Sequence, residues 1–555
     1  MDGDDRRRRG LRAPSVEALE GRTLLSGYSG MSRMRNVATN TGVYQLQLSG
    51  PGFLKVQQLP KGVIDLNLLG TTSGTTLTVA LLRPRPHKIA SLLPIQDLNV
   101  VSRQLGAINA SSALLSGAMS PLANSVSQLS FGALGPAAQI DVNGGVALMT
   151  VPEIDLGPTG HVVISGDLNS GSTTPMQIDD MTIDGGRFVI GRDSVTPITI
   201  SGDLTLGQNG LLSIGRDQLA PITVGGTVRL EAGGEILVGR NLFGLHVVGD
   251  VIVNPGASGI LVRGSIFTVP DPVYFPNTVY GLIVDGVFQG QGSATAVDLG
   301  VGLDLDGFEV RSGTENLGGL QSANVNVGKN ITNLYIAHGI FRSWITSGAI
   351  ITNITIGPDV PTAIYNSEID AVMSINNVSA LGDVKSDFPT NAQATGYPTR
   401  IIAGKSRDGT FQANGQLNNV QINGSLIDSV LAASVAPFGG DGTLPPPVPY
   451  GGVPRTAGPP PAGFSNYNAP GGITQGGDGS KIKNYSIRSF VGGQALPVAV
   501  YDTATDPNIH VTVLDGGVVT ASVSGSVISS PHDDRFDYTG VFALNTAGVD
   551  GGLSP

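Results

Sequence analysis

Three aspartates within six residues, Asp179, Asp180 and Asp184, are the first side chains in this sequence that chemistry would want together. Glycoside cleavage needs two carboxyl groups roughly 5 to 9.5 Å apart across the sugar, one giving a proton and one attacking or activating water. These three are the candidates for such a pair. A second acidic set, Asp304, Asp306 and Glu309 with Asp298 before it, could supply oxygen ligands to a metal. Asp304-Leu305-Asp306-Gly307 has the beginning of a calcium loop, without the later glutamate and third spacing that would complete six or more oxygens. Arg192, Arg216 and Arg240 recur at one step, each followed by Asp193, Asp217 or Asn241. Stacked in one column they would offer a cationic stripe to an anionic polymer; alternatively, arginine and aspartate neutralise one another and hold a corner. Stacked like charges need opposite neighbours, which favours the second. Trp344, the only tryptophan, is a candidate sugar-stacking surface with Phe341, set against simple packing in a core or at a corner. His532-Asp533-Asp534 near Asp537 is a weak metal set, with one histidine among exposed carboxylates. The sequence has no Gly-rich phosphate loop after a strand, no nucleophile elbow and no metalloprotease helix, so no cofactor is expected.

The elements that would position these side chains repeat. Ile190-Gly191-Arg192-Asp193 returns as Ile214-Gly215-Arg216-Asp217 and as Val238-Gly239-Arg240-Asn241, a step of 24 residues each time. A fixed step of this size indicates a solenoid. Between the marks, Ile198-Thr199-Ile200-Ser201-Gly202-Asp203-Leu204-Thr205-Leu206 alternates apolar and polar residues with strand period, and the words beginning at Ile222 and Leu245 do the same. The spacing predicts two short strands per repeat and two corners marked by glycine, with Gly202, Gly226 and Gly249 facing inward where a side chain would crowd the backbone. Aspartates just after that glycine, Asp167, Asp203, Asp250 and Asp383, are too sparse for calcium and read as turn formers. The same Gly-centred word occurs at 162–168, 260–266, 282–288, 378–384 and 420–426, and the step shortens to 20 between Ile331-Thr332-Asn333 and Ile351-Thr352-Asn353.

The expected fold is therefore all-β, a right-handed parallel β-helix or related β-solenoid with rungs of about 24 residues. Stacked rungs lie about 4.8 Å apart, which would put the three arginines in a ladder. Polygalacturonase-like enzymes use this fold, and Asp179-Asp180 and Ala337-His338-Gly339 resemble two of that family's motifs. Its Asn-Thr-Asp and Arg-Ile-Lys motifs are absent, and the two matching ones are 158 residues apart where neighbouring rungs are required. His338 also falls in the corner slot of the repeat, which predicts a packed, hydrogen-bonded histidine.

Composition agrees with a narrow, turn-rich core: 79 glycines in 555 residues, 5% aromatic and 14% charged residues. Glycine is at about twice its usual share. The first 35 residues hold eight arginines against five acids, which leaves 24 basic and 38 acidic residues, a net −14, for the remainder. So acidic a body argues against nucleic-acid binding, whose affinity rests on neutralising phosphates. With no cysteine, disulfides, thiolate metal sites and a cysteine nucleophile are excluded. No run approaches the ~18 apolar residues of a membrane span, and no apolar stretch follows the basic start as an ordinary secretory signal would require.

Residues 1–36 read as a charged leader. Within it, Val16-Glu17-Ala18-Leu19-Glu20-Gly21-Arg22-Thr23-Leu24-Leu25-Ser26 resembles the LEPR-XLL element of large, repetitive, envelope-associated proteins of planctomycete-type bacteria, with Gly21 where that element has proline. The Gly-rich β-repeat body is similar to proteins that carry this leader. The resemblance implies a cell-envelope or extracellular destination. Residues 37–160 are expected to form a β-rich cap and irregular first rungs, with 110–134, rich in small residues, partly helical. The solenoid body is assigned to 161–434, with loops leaving it at 270–278 and 387–399; a Pro/Gly-rich linker or extruded loop to 435–482; and a C-terminal β segment or cap to 483–555. Together these point to a non-catalytic, adhesin-like structural protein with polysaccharide or other envelope material as its partner. The alternative is a polysaccharide lyase or glycoside hydrolase on the same scaffold. An enzyme predicts a carboxylate or Arg/Lys cluster on adjacent rungs, a structural protein scattered charges.

Overall fold

The computed structural model describes residues 32–84, 92–168, 175–268, 281–293, 295–313, 318–357, 361–385, 399–404, 415–427 and 430–433, with further strands between 481 and 554. The leader, the loops expected at 270–278 and 387–398, most of 435–482, and His532, Asp533, Asp534 and Asp537 lie outside the described residues. Among the described residues the regular structure is β throughout, apart from one 3-10 turn at Pro60–Gly62. The chain is a parallel β-solenoid of about 11 turns with rungs of about 24 residues.

One regular rung contains three strands, Ile198–Ile200, Leu204–Leu206 and Leu211–Ile214, and a one-residue bridge at Gln218, before Ile222–Val224 opens the next. Two strands were expected. The extra corner is hidden because the apolar alternation of 198–206 runs straight through the bend at Ser201-Gly202-Asp203, so the period alone shows no break. Three faces result, each with exact in-register stacking: Ile198 on Ile222 on Leu245 on the first, Leu204 on Val228 on Val251 on the second, and Leu211 on Glu235 on Gly259 on the third.

The glycines answer to the neighbouring rung more than to the core. A Cβ on Gly202 would lie 2.1 Å from Asp180 Oδ1, and one on Gly226 would lie 2.2 Å from Asp203 Oδ1. At the other corner, a Cβ on Gly239 would lie 2.0 Å from the Gly215 carbonyl oxygen. Rungs can therefore approach closely enough for parallel hydrogen bonding at the corners only where the side chain is missing. Inward, each rung buries six apolar side chains; Ile198, Ile200, Leu204, Leu206, Leu212 and Ile214 are all 3% exposed or less. At about 1.5–3 kcal/mol for each fully buried aliphatic side chain, these columns are the main stabilising term. A charge at Leu206 would face Ile183 on one side and Leu230 on the other, with no polar partner in either rung.

Both ends depart from parallel pairing. At the start, Gly42–Ser49 is antiparallel to both Met34–Ala38 and Thr76–Pro84, and Phe53–Gln58 is antiparallel to Ile64–Leu69. Parallel stacking begins where Ile64–Leu69 meets Leu93–Val100 and Thr76–Pro84 meets Ala107–Leu115. The helix expected within 110–134 is not formed: Ala107–Leu115 and Gln128–Leu134 are strands. Ala110 and Ala113 are fully buried on the inner side of this rung, so small residues mark a narrow part of the core here and not helix propensity. At the far end, Gln416–Ile427 pairs in parallel with Lys481–Val491, and Val430–Ala433 with Val498–Tyr501. Antiparallel strands Val518–Val519, Val523–Ser526 and Val511–Val513 then follow. Rung stacking thus resumes after residues 434–480.

Candidate functional site

Several corner carboxylates along the regular body bond backbone of the next rung. At the corner after the third face, Asp167 Oδ1 accepts the Asp193 N–H (3.2 Å), Asp193 Oδ1 that of Asp217 (3.1 Å), and Asp217 Oδ1 that of Asn241 (3.0 Å). Asn241 Oδ1 continues to the Ser265 N–H at 3.0 Å, and Asp304 Oδ1 takes the Asn330 N–H at 3.3 Å. The corner between first and second faces repeats the device with Asp180 on Asp203, Asp203 on Thr227 and Asp250 on Val287. Corners interrupt the strand ladder and leave N–H groups to satisfy, and a short acidic or amide side chain from the preceding rung reaches them.

This places the candidate carboxylates one by one. Asp180 Oδ1 is held by the Asp203 N–H (3.2 Å) and Asp184 Oδ1 by the Gln208 N–H (3.0 Å), at opposite ends of one second-face strand, while Asp179 is exposed. They do not converge across a groove. From this rung the register runs Met181, Leu204, Val228, Val251, Phe288, Leu320, Ile340. His338 therefore lies about six rungs, roughly 29 Å, from the aspartates. It is half-buried, and its Nδ1 is buried without a hydrogen-bond partner, so the hydrogen-bonded state expected for it does not form at that nitrogen. Asp304, Asp306 and Glu309 are also apart in their bonding: Asp304 to the Asn330 amide at 2.8 Å, Asp306 to the Thr268 hydroxyl at 3.1 Å and Glu309 to Arg311 at 3.0 Å. The Glu309 hydrogen bond raises the pKa of the Arg311 guanidinium, which also pairs with Asp285; Asp285 in turn meets His246 Nε2 at 2.9 Å. Among the described residues no group of three or more His, Asp or Glu side chains could hold a metal ion.

The arginines do form a file. Arg216 N–H donates to the Arg192 carbonyl and Arg240 N–H to that of Arg216, at 3.2 and 2.9 Å, so the three stand on consecutive rungs. Arg240 reaches back to Asp217 (2.9 Å) and Asp193 (3.4 Å). Arg192 and Arg216 are exposed and make no ion pair among the described residues. Three residues beyond each arginine runs an apolar file that the sequence pattern did not single out: Val195 and Leu219, 41% and 43% exposed, then Phe243 and Phe267, whose rings lie 5.2 Å apart. The bridges Ser194 to Gln218 to Leu242 to Ile266, beneath them, keep this file in register.

Farther along, the third face carries a cluster that sequence reasoning missed. Asn324, Trp344, Glu368 and Arg400 stack on consecutive rungs, with Asp370 two residues after Glu368. Ile345, Ile369 and Ile401 alternate with them and belong to the core, so these polar side chains point away from it. Even so, Glu368, Asp370 and Arg400 are 4–5% exposed, and Arg400 Nη2 donates to Glu368 Oε2. The corner at Arg342 and Ser343 separates Trp344 from Phe341, whose ring packs instead on Tyr365 at 5.3 Å. A readable signal existed, charge alternating with isoleucine in Glu368-Ile369-Asp370 and Arg400-Ile401. The step of 32 between these rungs, against 24 in the regular body, concealed that they are neighbours. Asp298 lies one rung before Asn324 and is fully buried; burial lifts its carboxyl to about 6, against the opposing pull of the Asn324 and Gln291 N–H groups.

No family model matches this chain, and neither a curated protein nor a solved structure matches it. Among the described residues no helix is long and apolar enough to cross a membrane.

Proposed function

We propose that the chain is a non-catalytic, adhesin-like structural protein of the cell envelope or extracellular space, a stiff rod that contacts carbohydrate through its corners. The observation that carries this reading is the use of the body's aspartates: one after another they cap backbone N–H groups of the next rung. Carboxylates bonded in this way serve rung cohesion, and rods built by repetition gain length and stiffness with each added unit. The destination is supported by the resemblance of residues 16–26 to the LEPR-XLL element. Fractionating native cells tests it directly: recovery with the envelope or medium is expected, and recovery in the cytoplasm rejects it.

A second reading, cleavage of an acidic polysaccharide, is favoured by one observation, the Trp344, Glu368, Asp370 and Arg400 cluster on adjacent rungs of the third face. Glu368 and Asp370 are separated along their strand by about 6.6 Å, within the range of glycosidase carboxyl pairs. Against it, Glu368 is already engaged by Arg400 and both are buried. Turnover on a panel of polyuronates that disappears in Glu368→Gln and Asp370→Asn, with folding retained, would establish this second reading in place of the first.

A further inference from the structure

We propose that the corner bearing Arg192, Arg216 and Arg240, with the apolar file from Val195 to Phe267 beside it, binds one extended chain of an anionic polysaccharide along the solenoid axis. The proposal rests on the reading of the protein as a carbohydrate-contacting rod and names the ligand class and the place. Two files of unlike chemistry run in parallel here, in register, for three to four rungs. The cationic file is set by the backbone hydrogen bonds from Arg216 to Arg192 and from Arg240 to Arg216; the apolar file by those from Leu219, Phe243 and Phe267 to the preceding bridge residues Ser194, Gln218 and Leu242.

An acidic sugar in a polymer has matching parts, a carboxylate on one edge and a face of C–H groups beside it. Its carboxylate suits a guanidinium, which offers paired donors in a plane; its C–H face suits an aliphatic or aromatic side chain. Rungs repeat about every 4.8 Å, comparable to the advance of one sugar along an extended glycan, so successive sugars meet chemically equivalent rungs. Three residues separate the files at each corner, with bends at Arg192 and Arg216, so the two files are neighbours along the same edge of the solenoid. The neighbouring aspartates Asp193 and Asp217 pair with Arg240 and leave the Arg192 and Arg216 side chains uncancelled. Asp193 and Asp217 are 29% and 15% exposed and spend Oδ1 on backbone N–H groups, whereas the Arg240 side chain is 54% exposed and the Arg192 and Arg216 guanidinium groups have no carboxylate partner among the described residues. Seen from solvent, the cations are outermost. The rest of the body is acidic, so an anionic chain is repelled from most of the surface and is held at this corner, as complementary charge does at interfaces.

The test uses the full chain with sodium polygalacturonate as the probe, amylose as an uncharged control and duplex DNA as a competing polyanion. Polygalacturonate is expected to bind best and to be released by salt, since exposed charge pairs are screened. The double variant Arg192→Ala/Arg216→Ala should weaken binding by about tenfold or more, with a melting temperature within about 2 °C of the parent because exposed side chains contribute little to stability. Val195→Ser/Leu219→Ser should weaken it as well, while Arg229→Ala, exposed on the second face, should not. Unchanged binding by the arginine double variant, an equal loss in Arg229→Ala, or equally tight binding of amylose or DNA overturns the assignment. Fractionation keeps the two claims apart: a chain found in the envelope whose double variant binds polygalacturonate like the parent refutes the corner and leaves the envelope reading standing.

Discussion

The rungs of the regular body and those between residues 299 and 403 share one backbone and treat charge in opposite ways. In the first, aspartates and arginines sit at corners, reach water, and bond backbone or one another across rungs at a step of 24. In the second, Asp304 still caps the Asn330 N–H, but several other corner positions are filled by neutral groups. Asn353 donates to Asn333 and Asn377 to Asn353, all three in the left-handed region, while the Ser343, Ser367 and Thr399 hydroxyls accept N–H groups of neighbouring rungs. Charge moves instead onto the third face and is buried as Glu368 with Arg400. The lesson is that a corner needs an acceptor for an N–H and not a charge, so an ion pair buried elsewhere is not required by the architecture.

The sharpest way to break this contrast is to remove half of the buried pair. Glu368→Ala or Arg400→Ala is expected to cost about 3–5 kcal/mol, because the remaining buried charge loses this ion pair. Glu368→Leu with Arg400→Met should recover most of that loss if the pair is dispensable for folding. Denaturant midpoints of the three variants decide between the cases; equal losses in the single and double variants would mean that the pair is itself a net stabiliser.

Next in size is a pH effect at Asp298. Burial raises its carboxyl to about 6 in the folded chain from an ordinary value of 3.8, so the folded state holds a proton that the unfolded chain gives up between those values. Stability from this group is fully present below about pH 4 and is lost as pH rises through 6, at most about 3 kcal/mol for a shift of two units. Asp298→Asn should flatten that part of the stability profile. A profile unchanged by the substitution would show that another group supplies the slope.

Rung contact comes third. Gly239→Ala puts a methyl group against the Gly215 carbonyl and should destabilise by about 1–3 kcal/mol as an overpacked site, with hydrogen exchange quickening first in rungs 211–247. The smallest effect is expected at the staples: Asp203→Ala removes the acceptor for the Thr227 N–H, 2.7 Å away, at about 1 kcal/mol. Asp203→Asn retains an acceptor oxygen and should recover most of it. If asparagine were as poor as alanine, charge and not hydrogen bonding would be what the corner uses.

How much of this could be read beforehand differs by residue. The inward columns were legible from alternation, because that depends on neighbours close in sequence; the caps by Asp203 and Asp250, expected only as turn formers, were not, since the Thr227 and Val287 N–H groups they accept lie one rung away. The third strand of each rung was not, since Gly202 continues the apolar period through a bend that only stacking reveals. Ala110 and Ala113 misled because small residues suit a helix and a narrow core equally. The arginine file was foreseen from its step; the apolar file beside it was not, because Val195, Leu219 and Phe243 share no single residue type. Glu368 and Arg400 escaped for the reason that insertions alter the step between rungs and erase the register.

The sequence by itself determined that the chain is a parallel β-solenoid of about 24 residues per rung, because a strand's period of two and the repeat's fixed step are local properties of the chain. Only the tertiary structure decided what each polar group does. Whether Asp180 is a catalyst or a cap, whether Arg216 is neutralised or free, and whether Glu368 meets Arg400 all depend on which residue of the neighbouring rung stands about 4.8 Å away. That neighbour is set by the rungs' register, and the register depends on loop lengths that carry no period of their own.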